Sequence, residues 1–159
     1  MGKGKTTFIL KFTIVLIGII VYSLCIFWLP ILANDTAERF PEYAYLKFPV
    51  LIGLYVTLIP FSTALYQALK LLSYIDSNNV FSVFSVKHLT YIKYCAVAIC
   101  AIYVTGILFL LTQNALHPGI AIIGFVIVFV SVVIAVFISV LHKMLLHVFV
   151  IKMENELTV

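Results

Sequence analysis

Residues 119–141 read GIAIIGFVIVFVSVVIAVFISVL, an uncharged run whose only polar side chains are Ser131 and Ser139. In water so many Val and Ile residues would suggest β-strands. The run is nevertheless as long as the ~20 residues needed to cross a ~30 Å hydrocarbon core as a helix. In hydrocarbon each backbone N–H and C=O must find its partner within the segment, so the helix is favoured over an open strand. This stretch therefore predicts a membrane-spanning helix.

Three more stretches follow the same logic. Phe8–Leu32 holds only Lys11, near its start, and the runs 48–70 and 92–112 carry their charges only at the rims. Across all 159 residues, 64% are hydrophobic and 10% charged. A soluble domain averages roughly 45–50% apolar and about 25% charged, so a water-soluble core is excluded. Four spans and their connectors use nearly the whole length and leave no room for a second domain. The expected fold is all-α: a four-transmembrane-helix bundle in one membrane domain, with spans near 8–32, 48–70, 92–112 and 119–141. A short interfacial segment is expected in the inner loop, and residues 142–159 are expected to extend the last helix into the cytoplasm.

The basic residues give the orientation. Lys3, Lys5, Lys11, Lys70, Lys87, Lys93, Lys143 and Lys152 border one side, whereas Arg39 and Lys47 alone border the other. The positive-inside rule places both termini in the cytoplasm. The net charge of +4 is accounted for by membrane rims and anionic headgroups, and no direct nucleic-acid partner is implied. The first apolar run is longer than a signal-peptide core and lacks a small-x-small cleavage site, so it is read as a retained helix. The Met1-Gly2…Thr6 match to a myristoylation pattern is better explained as the basic start of a first span.

Smaller signals fill in the loops. Asn34 is expected to cap a brief helical turn that Pro41 ends. Trp28, Tyr43 and Tyr45 fall where an interfacial aromatic belt belongs. Pro60 should kink the second span, with Thr57, Ser62 and Thr63 close enough to bond the carbonyl it frees. Thr57, Pro60, Ala64 and Gln67 share one helical face, with Thr63 beside them. That face reads as an interhelical seam, or alternatively as one wall of a small cavity. Asp76-Ser77-Asn78-Asn79 reads as a turn. Ser85 should cap the third span, with Phe84 and Leu89 stapled across the cap, and His88 is read as a solvated rim histidine. Gly18, Gly53, Gly106 and Gly124 permit close helix approach without forming a GxxxG pair.

Catalytic chemistry is not assembled anywhere. No span carries an ionisable side chain near its centre, which counts against proton relays and intramembrane proteases. Cys25, Cys95 and Cys100 form no CxxC pair and read as packing residues. His142 and His147 are spaced badly for a shared metal. No enzyme, cofactor or metal site is expected.

The segments Tyr66-Gln67-Ala68 through Asp76, Phe81-Ser82, Ser85-Val86-Lys87 and Ile92-Lys93-Tyr94-Cys95-Ala96, with the ending Lys152-Met153-Glu154-Asn155-Glu156-Leu157-Thr158-Val159, resemble the domain of unknown function 2975 family. These are small bacterial membrane proteins with four helices. The resemblance implies no reaction. It implies, through neighbouring genes, a small helix-turn-helix regulator as partner. Members often carry basic residues or glycine after the loop aspartate, where Ser77-Asn78-Asn79 stand here, and Asp where Glu156 stands.

The motifs of the resemblance gather on the inner side. Asp76, Phe81, Ser82, Ser85, Lys87, Lys93, Glu154, Asn155 and Glu156 are the expected partner-binding residues, with a tail carboxylate paired to Lys87 or Lys93. The expected role is a non-enzymatic regulatory or scaffolding partner of a cytoplasmic protein. The alternative is a small homo-oligomeric channel, or a lipid- or peptide-binding membrane protein, built on the Thr57, Pro60, Thr63 and Gln67 face.

Overall fold

The computed structural model describes residues 3–76 and 83–157; the side chains of Lys3, Gly4, Val83, Lys152, Asn155, Glu156 and Leu157 lie outside the description. The chain runs as α1 (Lys3–Ser23), a π-turn (Leu24–Trp28), α2 (Leu29–Arg39), a 3₁₀ turn (Pro41–Leu46), α3 (Lys47–Asp76), α4 (Val83–Thr112) and α5 (Pro118–Leu157). α1, the π-turn and α2 follow one another without a break, so four apolar helical rods are long enough to cross a membrane. The all-α, four-span architecture follows directly.

The first rod shows how the chain meets the rule that lipid leaves no backbone polar group unpaired. Pro30 has no N–H to give. The preceding turn widens, and the Leu29 N–H bonds the Leu24 carbonyl five residues back. The Cys25 carbonyl then has neither the Leu29 nor a Pro30 N–H to accept. The Tyr55 hydroxyl of α3 donates to it at 3.2 Å. This corrects the expected Asn34 cap: the helix passes through Asn34 and ends at Arg39, where Phe40 leaves helical geometry (φ −128°, ψ 75°) ahead of Pro41. Pro41 ends the helix as expected.

Pro60 lies inside α3, but its neighbours do not serve the carbonyl it frees. Thr57, Ser62 and Thr63 donate to Leu54, Leu58 and Ile59, three or four residues back in their own helix. Ser62 also meets Tyr22 of α1. Thr57 is buried against α4, within hydrogen-bonding reach of Tyr103, whereas Thr63 is exposed. The seam therefore runs through Thr57 and leaves Thr63 facing outward.

α4 ends in a Schellman turn. Asn114 takes the left-handed conformation (φ 53°), the Ala115 N–H bonds Leu110 O at 3.1 Å, and the Asn114 N–H bonds Leu111 O at 3.1 Å. Tyr43 and Tyr45 latch the first loop onto this turn by donating to Asn114 O and Gln113 Oε1.

Each rod packs mainly on its chain neighbour: α1 and α2 on α3, α3 on α4, and α4 on α5. Among the described residues, no extensive packing joins α1 or α2 to α5. Its accessible surface is 11061 Å², against on the order of 8,000 Å² for a water-soluble monomer of this mass. The excess is apolar, with Phe27, Phe125 and Phe137 each more than 60% exposed. Hydrocarbon is the solvent that tolerates this surface.

Two of the four glycines allow close approach. A Cβ at Gly124 would meet the Ile107 side chain at 3.0 and 3.2 Å, and one at Gly18 would meet Leu65 at 3.1 Å; Gly53 and Gly106 face open space. Gly124→Leu should destabilise the α4–α5 pair by about 1–3 kcal/mol, whereas Gly106→Ala should be neutral or stabilising. Steric-trap unfolding in bicelles reads both. Tyr55→Phe should cost about 0.6–1.7 kcal/mol, the range for interhelical hydrogen bonds in lipid. That cost should shrink when Pro30→Ala restores the missing N–H, which a double-mutant cycle measures.

Candidate functional site

One end of the array carries the start of α1, the end of α3, the start of α4 and the end of α5, along with most of the positive charge. Asp76 is the last residue of α3, where a carboxylate opposes the partial negative charge of the helix end. Lys11 of α1 compensates, with its Nζ 2.6 Å from Asp76 Oδ2. The Lys11 hydrogen bond, followed by one from Thr7, holds the Asp76 carboxyl below the usual carboxylate range. Asp76 stands at the helix terminus, outside the apolar run 48–70. Because the folded-state value is lowered, the pair supports the fold at neutral pH and is lost as pH falls through that lowered value.

The first turns of α4 are fastened to the last turns of α3. Tyr74 stacks on Phe84 (centroids 6.1 Å apart) and on His88 (5.4 Å). His88 Nδ1–H donates to Gln67 Oε1 at 2.5 Å. His88 is thus half-buried between helices and is not the solvated rim histidine expected. The described part of α4 starts at Val83, before the expected cap. Ser85 lies within the first turn, fully buried at 0% exposure. The local capping signal is outweighed by aromatic contact with α3.

The expected docking residues therefore separate. Lys87 and Glu154 are exposed, whereas Asp76 is occupied by Lys11 and Ser85 is sealed inside. Phe81 and Ser82, expected in an interfacial segment, lie outside the described residues, as do the Asn155 and Glu156 side chains. Lys93 belongs to a different feature, a groove between α4 and α5 that it shares with Lys143. Of the expected clasp between tail and loop only the Glu154 arm is described, since the Glu156 side chain lies outside the described residues. Equal steps from the 113–117 turn put Lys87 level with about Lys143, so Glu154 stands roughly 16 Å beyond Lys87, and farther still from Lys93.

On the seam, Gln67 is drawn to His88 and Thr57 to Tyr103, both on α4. Lys11, Tyr74, Tyr55 and Lys143 complete these arrangements, and sequence spacing gave no sign of their partners. Among the described residues no three His, Cys, Asp or Glu side chains come together to hold a metal.

The family model for "Protein of unknown function (DUF2975)" matches residues 31–159. The chain belongs to the DUF2975 family. It is 54% identical over 161 residues to the "Uncharacterized membrane protein YoaS" of Bacillus subtilis (strain 168), covering 100% of both chains. No solved structure matches it. The sequence resemblance to DUF2975 is borne out, and with it the membrane character of the chain.

If Lys11 and Asp76 are neighbours, cysteines at the two positions, in a background with Cys25, Cys95 and Cys100 replaced, should be joined by a short bismaleimide in native membranes. Cysteines at Lys11 and Glu154 should not be. Failure of the first pair to cross-link would contradict the described packing of α1 on α3.

Proposed function

We propose that this DUF2975 protein is a non-enzymatic membrane scaffold that holds a cytoplasmic protein on the inner part of α5. The carrying observation is the length of that helix. Its 40 residues extend about 60 Å, roughly twice the hydrocarbon core. Counting from the 113–117 turn, α5 passes the described start of α4 near His147 and continues beyond it.

The projecting part keeps apolar side chains exposed. Val148, Val150, Ile151 and Met153 are each 41–49% accessible. Val148 and Ile151 share one side of the helix, Val150 and Met153 the other, and apolar side chains outside lipid are what a groove-bearing partner protein takes up. Lys87 at the base of the arm and Glu154 near its tip supply polar contacts at either end. The partner class that the family resemblance points to is a small helix-turn-helix regulator. In this reading both termini are cytoplasmic, as the eight-to-two division of basic residues suggests.

A photo-crosslinking amino acid at Val148 or Ile151 tests the reading in cells of the native host. We expect an adduct with a soluble protein, identifiable by mass spectrometry and abolished by Lys87→Glu. The same probe at Phe129 should capture lipid only. Adducts limited to lipid or to a second copy at all three positions would remove the scaffold reading.

A further inference from the structure

We propose that the groove between α4 and α5 is a binding site for an anionic phospholipid, with Lys93 and Lys143 holding the headgroup phosphate and the groove holding an acyl chain. This stands independently of the scaffold reading, because it uses a different face and needs no protein partner.

The groove is an open trough of about 500 Å³. Val97 and Cys100 continue the line of Lys93 along α4 at helical spacing. On α5 the lining residues recur every four positions, Ser131, Ala135, Ser139 and Lys143, as one stripe on a single face. From Ser131 to Lys143 the stripe is about 18 Å long, comparable to the ~15 Å depth of one leaflet. Small side chains form the floor, with Ser139 satisfied by its own helix through Ala135 O at 2.7 Å. The walls are apolar and fit a hydrocarbon chain rather than a polar solute.

Charge selects the headgroup. Lys93 of α4 and Lys143 of α5 both line the groove, and no acidic residue lines it. The ion pairs formed among the described residues are Lys11–Asp76 and Asp35–Arg39, so neither groove lysine is neutralised by a carboxylate there. Two ammonium groups beside an apolar slot at leaflet depth match an anion that carries its own acyl chain. Basic pockets between membrane helices recognise anionic headgroups in this way. A zwitterionic lipid brings a cation of its own to the same position, which lowers its share.

Native mass spectrometry of the full chain, released from nanodiscs of equal phosphatidylglycerol and phosphatidylcholine, reads the outcome. We expect one phosphatidylglycerol to be retained preferentially, and Lys93→Gln/Lys143→Gln to lower that preference roughly thirtyfold, the factor two surface lysines carry toward anionic lipid. Lys93→Arg/Lys143→Arg should keep it. Ala135→Phe, which fills the slot and leaves both charges, should abolish retention. Lys70→Gln/Lys87→Gln, which removes two other rim lysines, should leave it unchanged, and glycerol phosphate should not displace the lipid. Circular dichroism confirms that each variant is folded. Equal retention of both lipids, the same loss from the Lys70/Lys87 pair, retention surviving Ala135→Phe, or displacement by glycerol phosphate would each overturn the proposal.

Discussion

The absence of water around the backbone governs this molecule. In hydrocarbon a carbonyl without a donor costs several kcal/mol, so each break in a helix has to be repaired by a neighbouring group. At Pro30 the repair has two parts. A widened turn takes the Leu29 N–H back to Leu24, and the Tyr55 hydroxyl crosses from α3 to the Cys25 carbonyl. The proline that disturbs the first rod thereby also fixes where that rod meets the second. At the C-terminal end of α4 the problem recurs as a helix terminus, and the left-handed Asn114 with its two closing hydrogen bonds resolves it.

Since lipid supplies the solvent, a thick core is unnecessary. Few side chains are deeply buried, and those that are, such as Leu72, Leu89, Cys95 and Leu110, lie mainly along α3 and α4. The central pair acts as a spine, with α1 laid on one side and α5 on the other. Specific contacts are concentrated near the two ends: tyrosine latches at the 113–117 turn, and the Lys11–Asp76 pair with the Tyr74–His88–Gln67 cluster at the other. The last helix runs beside α4 over about its first thirty residues and extends past the described start of α4 over the rest. The scaffold reading uses that extension, and the lipid reading uses the slot where the two helices still run together.

Much of this was legible in the sequence, because length and apolarity alone force helices in a membrane. The run 119–141 and its three counterparts became rods, and the last helix was expected to continue past Leu141, which it does to Leu157. What escaped was pairing across distance. Lys11 and Asp76 are 65 positions apart, and nothing in either local pattern names the other. The Ser85 cap signal was real chemistry outweighed by Tyr74, a residue with no distinguishing context of its own. The first span was expected to end at Leu32, whereas the π-turn absorbs Pro30 and the helix runs on to Arg39. Lys93 was grouped with the loop by its position in a motif, but the turn of α4 aims it at α5. Periodicity identifies a helical face without identifying the helix it meets.

The account rests on four lipid-solvated crossings with both ends of the chain on one side. Single cysteines at Lys5, Glu38, Lys87, Ala115 and Val150, each in a background lacking Cys25, Cys95 and Cys100, test this with a membrane-impermeant maleimide on intact cells. Labelling should occur at Glu38 and Ala115 and be withheld at Lys5, Lys87 and Val150 until the membrane is opened. Labelling of Lys5 or Val150 in intact cells, or protection of Glu38, would contradict it.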